Sequence, residues 1–132
     1  MNEITSPKRI VIKNDLDIVV ARLQAREIAR DLGFNTSDQA RISLAAGEIA
    51  KLLSSKGSTS GEILIAGVSN EQQVGIQVIT TKLMNGHTRY DYAATEKWSE
   101  DTLSAVLPLI DEGFVDQDDN RTTRVTLRKW RS

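Results

Sequence analysis

The chain has 132 residues and a net charge of −1, with 39% hydrophobic and 27% charged residues. This is the composition of one globular domain able to bury a core, not of a disordered segment. It contains no cysteine, which excludes disulfides and thiolate chemistry. The near-neutral charge and only two Trp, two Tyr and two Phe argue against a nucleic-acid-binding surface. No apolar run is long enough to span a bilayer, and Met1 to Lys13 mixes charge with polarity rather than forming a signal peptide, so the expected location is the cytoplasm, away from membranes.

Residues 1–7, ending at Pro7, read as a loose terminus. Arg9 to Ile12 is a short β-branched run suited to an edge strand. From Asp15 to Leu32 the residues Ile18, Ala21, Ala25, Ile28, Ala29 and Leu32 recur at three- and four-residue spacing, which puts them on one face of a helix. Gly33 and Phe34 follow as a Schellman-type ending. Thr36-Ser37-Asp38-Gln39 has the pattern of a capping box and opens a second helix. Ile42, Ala45, Ala46, Ile49, Leu52 and Leu53 form its buried face, and Gly57 is its predicted stop.

Lys56 to Gly61 is a loop by composition. Glu62 to Val68 and Val74 to Thr81 are strands joined by the short turn Ser69 to Gln73, hence an antiparallel hairpin. Asn85-Gly86 signals a turn. Leu103, Val106, Leu107, Ile110 and Phe114 follow helical spacing around Pro108. A proline within a helix costs about 3 kcal/mol but is tolerated in the first turn, so the predicted helix starts close to Pro108, with a longer, kinked helix capped by Asp101 or Thr102 as the alternative. Asp116 to Asn120 reads as an acidic loop, and Thr122 to Trp130 as a final strand with Val125 and Leu127 inward. This order predicts a single α+β domain over residues 1–132: a mixed, mostly antiparallel sheet with helices on one face.

Asp17-Ile18-Val19-Val20-Ala21-Arg22, Asp31-Leu32-Gly33-Phe34 and Asp38-Gln39-Ala40-Arg41-Ile42 resemble the RsbT-like switch kinases. These belong with the anti-sigma-factor serine kinases of the GHKL ATPase superfamily. The likeness is close over residues 8–57, weaker over the hairpin and last strand, and poor between residues 82 and 120. It implies a Bergerat-type, two-layer GHKL sandwich.

The chemistry of that family rests on three motifs. The second helix carries a glutamate that acts as base or positions water, and an asparagine four residues later that holds Mg²⁺. The corresponding residues are Glu48 and Leu52, and a leucine offers no oxygen to a hard cation. A later Asp-x-Gly-x-Gly accepts a hydrogen bond from the adenine amino group. Lys82 stands in the place of its Asp and is a donor only. A glycine-rich turn opens the last helix and cradles phosphates with its amides. Ser104 and Val106 replace its glycines, and a β-branched side chain hinders close backbone approach.

The resemblance therefore implies a degenerate, nucleotide-free module with no cofactor and no metal. It would act by docking on a STAS-domain protein, such as a stressosome scaffold or antagonist, or on a PP2C-type phosphatase, in a partner-switching pathway. The alternative is an active serine kinase that uses ATP and Mg²⁺, with Asp91 or Glu96 supplying the missing oxygens. Arg22, Arg26, Glu27 and Arg30 on the first helix are candidate partner contacts, and unpaired sheet edges allow a homodimer.

The plainer readings stand beside these. Glu48 without a metal partner is a salt-bridged surface glutamate, and His87 lacks companion ligands. Asp116, Asp118 and Asp119 lack the glycine and closing glutamate of a calcium loop. Arg124, Arg128, Lys129 and Arg131 read as the solvent face and end of a strand rather than a phosphate-binding surface, and Gly47 either permits close packing of its helix on the sheet or is incidental. One histidine and no cysteine leave no Ser-His-Asp or Cys-His constellation.

Overall fold

A computed structural model describes residues 1–54, 61–82, 104–117 and 123–132. In chain order these form β1 (Asn2–Glu3), β2 (Lys8–Ile12), α1 (Asp15–Asp31), α2 (Thr36–Ser54), β3 (Gly61–Ser69), β4 (Val74–Lys82), a 3₁₀ turn (Leu107–Leu109), β5 (Glu112–Gln117) and β6 (Thr123–Trp130). The sheet runs β1-β3-β4-β6-β5, with β2 also on β3. All five pairings are antiparallel. The expected α+β sandwich, with helices over one face of a mostly antiparallel sheet, is what forms.

Strand alternation decides which side chains meet the helices. Ile10 and Ile12 of β2, Ile63 and Ile65 of β3, Ile76 and Val78 of β4, and Val125 and Leu127 of β6 are buried on that face. Opposite them lie Ala21, Ala25 and Ala29 of α1 and Ile42, Ala45, Ala46, Ile49, Ala50 and Leu53 of α2. The alanine row lets α1 lie close against its neighbours.

Local chemistry fixes both ends of α1. Asn14 accepts from the Asp17 amide at 3.2 Å, while the Asp17 carboxylate accepts from the Asn14 amide at 3.3 Å. This is a reciprocal capping box. At the other end Gly33 has φ +88°. The Gly33 amide donates to Arg30 O and the Phe34 amide to Ala29 O, each at 3.0 Å, completing a Schellman motif. The cap of α2 is shifted by one residue from the predicted Thr36. Asn35 Oδ1 accepts from the Asp38 amide at 2.8 Å, and Gln39 Nε2 turns back to Phe34 O at 2.8 Å. Asn35 is an equally good cap, and its position is set by the chain leaving the Gly33 turn.

Residues 1–7 are more tightly held than a loose terminus. Asn2 and Glu3 pair with Ser69 and Val68, the Ile4 amide donates to Gly67 O at 2.8 Å, and Thr5 Oγ1 accepts from the Gly67 amide at 2.8 Å. The turn between β3 and β4 forms as predicted, with Asn70 Oδ1 accepting from the Gln72 and Gln73 amides at 2.8 and 2.7 Å.

The helix predicted around Pro108 is the main correction. Residues 104–106 are helical and run into the 3₁₀ turn, and Ile110 is already extended at φ −134° and ψ 178°. Phe114 and Asp116, expected in a helix and an acidic loop, lie on β5. The physical reason is cross-strand pairing: Glu112 lies opposite Arg128 and Asp116 opposite Arg124, with Arg124 Nε and Nη2 gripping the Asp116 carboxylate at 3.1 and 3.2 Å. The Arg128 guanidinium also lies 4.9 Å from the centre of the Phe114 ring, a cation–π distance. The readings at Gly57, Asn85, Gly86, His87, Asp91, Glu96, Leu103, Asp118, Asp119 and Asn120 fall outside the described residues.

Candidate functional site

The catalytic positions that the sequence singles out belong to α2, the end of β4 and the turn before β5. Leu53 of α2 lies over Gly61, where an added Cβ would stand 2.5 Å from Leu53 Cδ2. Gly61 is in turn the register partner of Lys82. The C-terminal turns of α2, which hold Glu48 and Leu52, therefore lie at the same end of the sandwich as the last residue of β4. The fold thus sets the end of α2 and the end of β4, which are distant in sequence, at one end of the sandwich.

Glu48 is partly exposed and its carboxylate accepts from Lys51 Nζ at 3.0 Å. Such an i,i+3 pair on a helix surface is the ordinary arrangement of a solvated glutamate. Leu52 is on α2 and Lys82 closes β4 opposite Thr123; their side chains lie outside the described set. Ser104 is exposed. Val106 is 0% exposed and is part of the main hydrophobic core. Beneath the N-terminal half of α2, Ile42, Ala45, Ile76, Val78, Ile110 and Leu127 enclose a cleft of about 10 Å³, space for a single water at most.

Polar links surround this apolar layer. Lys129 points to the helix side, with Nζ 3.7 Å from both Asp38 and Asp111. Arg41 also reaches Asp38, at 2.9 Å. The Asp111 carboxylate accepts from the Trp130 amide at 2.7 Å, and the Asp111 amide donates to Arg128 O at 3.0 Å. The start of α2, the end of β6 and the entry to β5 are thus joined by one charged network. Arg131 Nη1 donates to Leu32 O at 2.7 Å, which occupies a carbonyl at the C-terminus of α1. The basic residues of β6 are therefore structural partners rather than a free cationic face.

The charged residues proposed for partner contact differ in their surroundings. The Arg22 stem crosses Gly47 of α2: a Cβ at Gly47 would be 2.7 Å from Arg22 Cδ. Ser43 Oγ donates to Arg22 O at 3.1 Å. Gly47 thus serves the α1–α2 seam, not the sheet, and Arg22 packs across that seam. Arg26, Glu27 and Arg30 are exposed. Sequence reasoning passed over Leu16, Val19, Val20 and Leu23, which are exposed on the outer side of α1. Their own helical spacing was the available signal.

The helix-covered antiparallel sheet is consistent with a GHKL-like sandwich. The chain also resembles RsbT: it is 39% identical over 71 residues to the serine/threonine-protein kinase RsbT of Bacillus subtilis (strain 168). The match covers 52% of this chain and 50% of that kinase, so the chain spans about half the length of the curated relative it matches. No protein-family model matches the chain. No helix among the described residues is long and apolar enough to cross a membrane.

Proposed function

We propose that this chain is an RsbT-like regulatory module of a bacterial stress or sigma-factor partner-switching pathway, and that it works by protein–protein docking without catalysis. The pathway follows from the likeness to RsbT. The partners are a STAS-domain protein, a PP2C-type phosphatase, or both.

The observation that carries the non-catalytic reading is Val106, fully buried in the core at the position where a phosphate-binding turn needs a glycine and an open backbone. Leu52 and Lys82 add the loss of an oxygen for Mg²⁺ and of an acceptor for adenine. These changes strike metal, base and phosphate together, so restoring one would not restore binding. Titration of the chain with MgATP in a calorimeter is expected to give only heats of dilution up to millimolar nucleotide. A micromolar dissociation constant would overturn the reading.

The second reading, an active serine kinase, is favoured by two observations: the relative is a serine/threonine-protein kinase, and Glu48 is retained. It predicts transfer of radiolabelled phosphate to a STAS-domain partner, abolished by Glu48→Ala. Docking alone predicts retention of the partner with no label transferred.

A further inference from the structure

The N-terminal strap and the last turns of α1 enclose a groove of about 300 Å³, the lower end of the range for small-molecule sites. The strap is a fixed wall, since Ile4 and Thr5 are each bonded to Gly67 at 2.8 Å. Leu32 lies over the same glycine, where an added Cβ would be 2.8 Å from Leu32 Cδ2. Gly67 is near the end of β3 opposite Gly61. The groove is therefore remote from the end of the sandwich that holds Leu52 and Lys82.

Its lining sorts by chemistry onto two walls. Strand alternation puts Lys8 on the same side of β2 as buried Ile10 and Ile12, and so towards α1. Glu27 and Asp31 line the facing wall, one helical turn apart. Ile28 and Leu32, both half-buried, supply apolar lining on the same wall. The opposite charges do not close on each other. Among the described residues the side chains of Lys8 and Glu27 have no ion-pair or hydrogen-bond partner, and Asp31 meets Arg30 in an exposed contact at 3.8 Å. Two carboxylates at this spacing repel each other and sit at the negative end of the helix dipole. They work against α1 itself, and a cation between them would relieve both terms.

We propose that this groove binds a small zwitterion of the arginine class. The guanidinium lies between Glu27 and Asp31, the aliphatic stem runs over Ile28 and Leu32, and the carboxylate meets Lys8 and the Ser6 hydroxyl. The charges balance: the groove offers two carboxylates and one ammonium, and free arginine brings two cations and one carboxylate. Carboxylates one turn apart stand about 5–6 Å from each other. A planar guanidinium with five donors can serve both at once, which a compact ammonium does less well. The site is independent of the docking function proposed above.

Titration of the isotope-labelled full chain with L-arginine, followed by amide chemical shifts, tests this. Saturable shifts at residues 5–8 and 24–32 are expected, with a submillimolar dissociation constant. L-citrulline has the same shape without the guanidinium charge, and agmatine lacks the carboxylate. Each is expected to bind roughly tenfold more weakly. In Lys8→Met the difference between arginine and agmatine should vanish, and in Glu27→Gln that between arginine and citrulline should shrink. Lys8 and Glu27 are exposed, so both variants should keep the wild-type melting curve. Absence of shifts up to tens of millimolar arginine would overturn the proposal, as would citrulline binding equally well. Agmatine binding as tightly as arginine to the wild-type chain would also overturn it, and would point to an arginine side chain of a partner protein.

Discussion

Thr80 is fully buried on the helix-facing side of β4, in register with Ile63 and Val125, and its hydroxyl has no hydrogen-bond partner among the described residues. A buried polar atom left unpaired costs about 1–3 kcal/mol, and valine has nearly the same shape without the hydroxyl. Thr80→Val is therefore expected to stabilise the fold by about 1 kcal/mol, read as a higher urea midpoint at an unchanged slope. Gly33 is constrained in the opposite sense. Its φ of +88° is open to glycine and strained for other residues, so Gly33→Ala is expected to destabilise by about 1–2 kcal/mol in the same urea titration. Both positions were visible in the sequence to different degrees. Gly33 announced itself by following an amphipathic run, whereas the lack of a partner for Thr80 depends on which side chains three other elements bring to it.

At the scale of elements, the two helices were legible because their signals are local. A hydrophobic period, a cap and a Schellman glycine lie within one stretch of chain. The cap shift can be tested directly. Asn14→Ala and Asn35→Ala should each cost about 1 kcal/mol, while Thr36→Ala should fall well below that, since Asn35 holds the cap. Thermal melts followed by circular dichroism would rank the three. β5 was not legible for the converse reason. Leu107, Ile110 and Phe114 satisfy a helical period, but Pro108 removes an amide and the helical residues end at Leu109. The strand that follows is specified by Arg124 and Arg128 on β6, which meet Asp116 and Glu112 across the ladder. No window along a single segment contains both halves of that pattern.

At the scale of the molecule, the network of Lys129 with Asp38 and Asp111 joins three elements that are distant in sequence. Lys129 and Asp38 have side chains only 13% and 12% exposed, so their attraction is poorly screened by solvent. Lys129→Ala would leave Arg41 as the ion-pair partner of Asp38 among the described residues, and is expected to cost on the order of 1–2 kcal/mol. Arg9→Ala breaks the exposed pair with Glu62 and should cost less, about 0.5 kcal/mol. Denaturant titrations of the two variants would show the difference, and added salt should lower the cost of Arg9→Ala more than that of Lys129→Ala, because Lys129 and Asp38 are largely buried.

The sequence by itself determined the α1–turn–α2 unit, the β3–β4 hairpin and the inward valine and leucine of β6, since each follows from periodicity and turn chemistry within a few residues. It also determined where Glu48, Leu52, Lys82 and Val106 stand along the chain. Only the tertiary structure decided that Val106 is core, that Lys129 turns to the helix side, that residues 112–117 form a strand, and that of two apolar stripes on α1 the alanine one is buried. Those outcomes depend on which surfaces meet across the fold, and burial, ion pairing and strand register are properties of the meeting surfaces rather than of either segment alone.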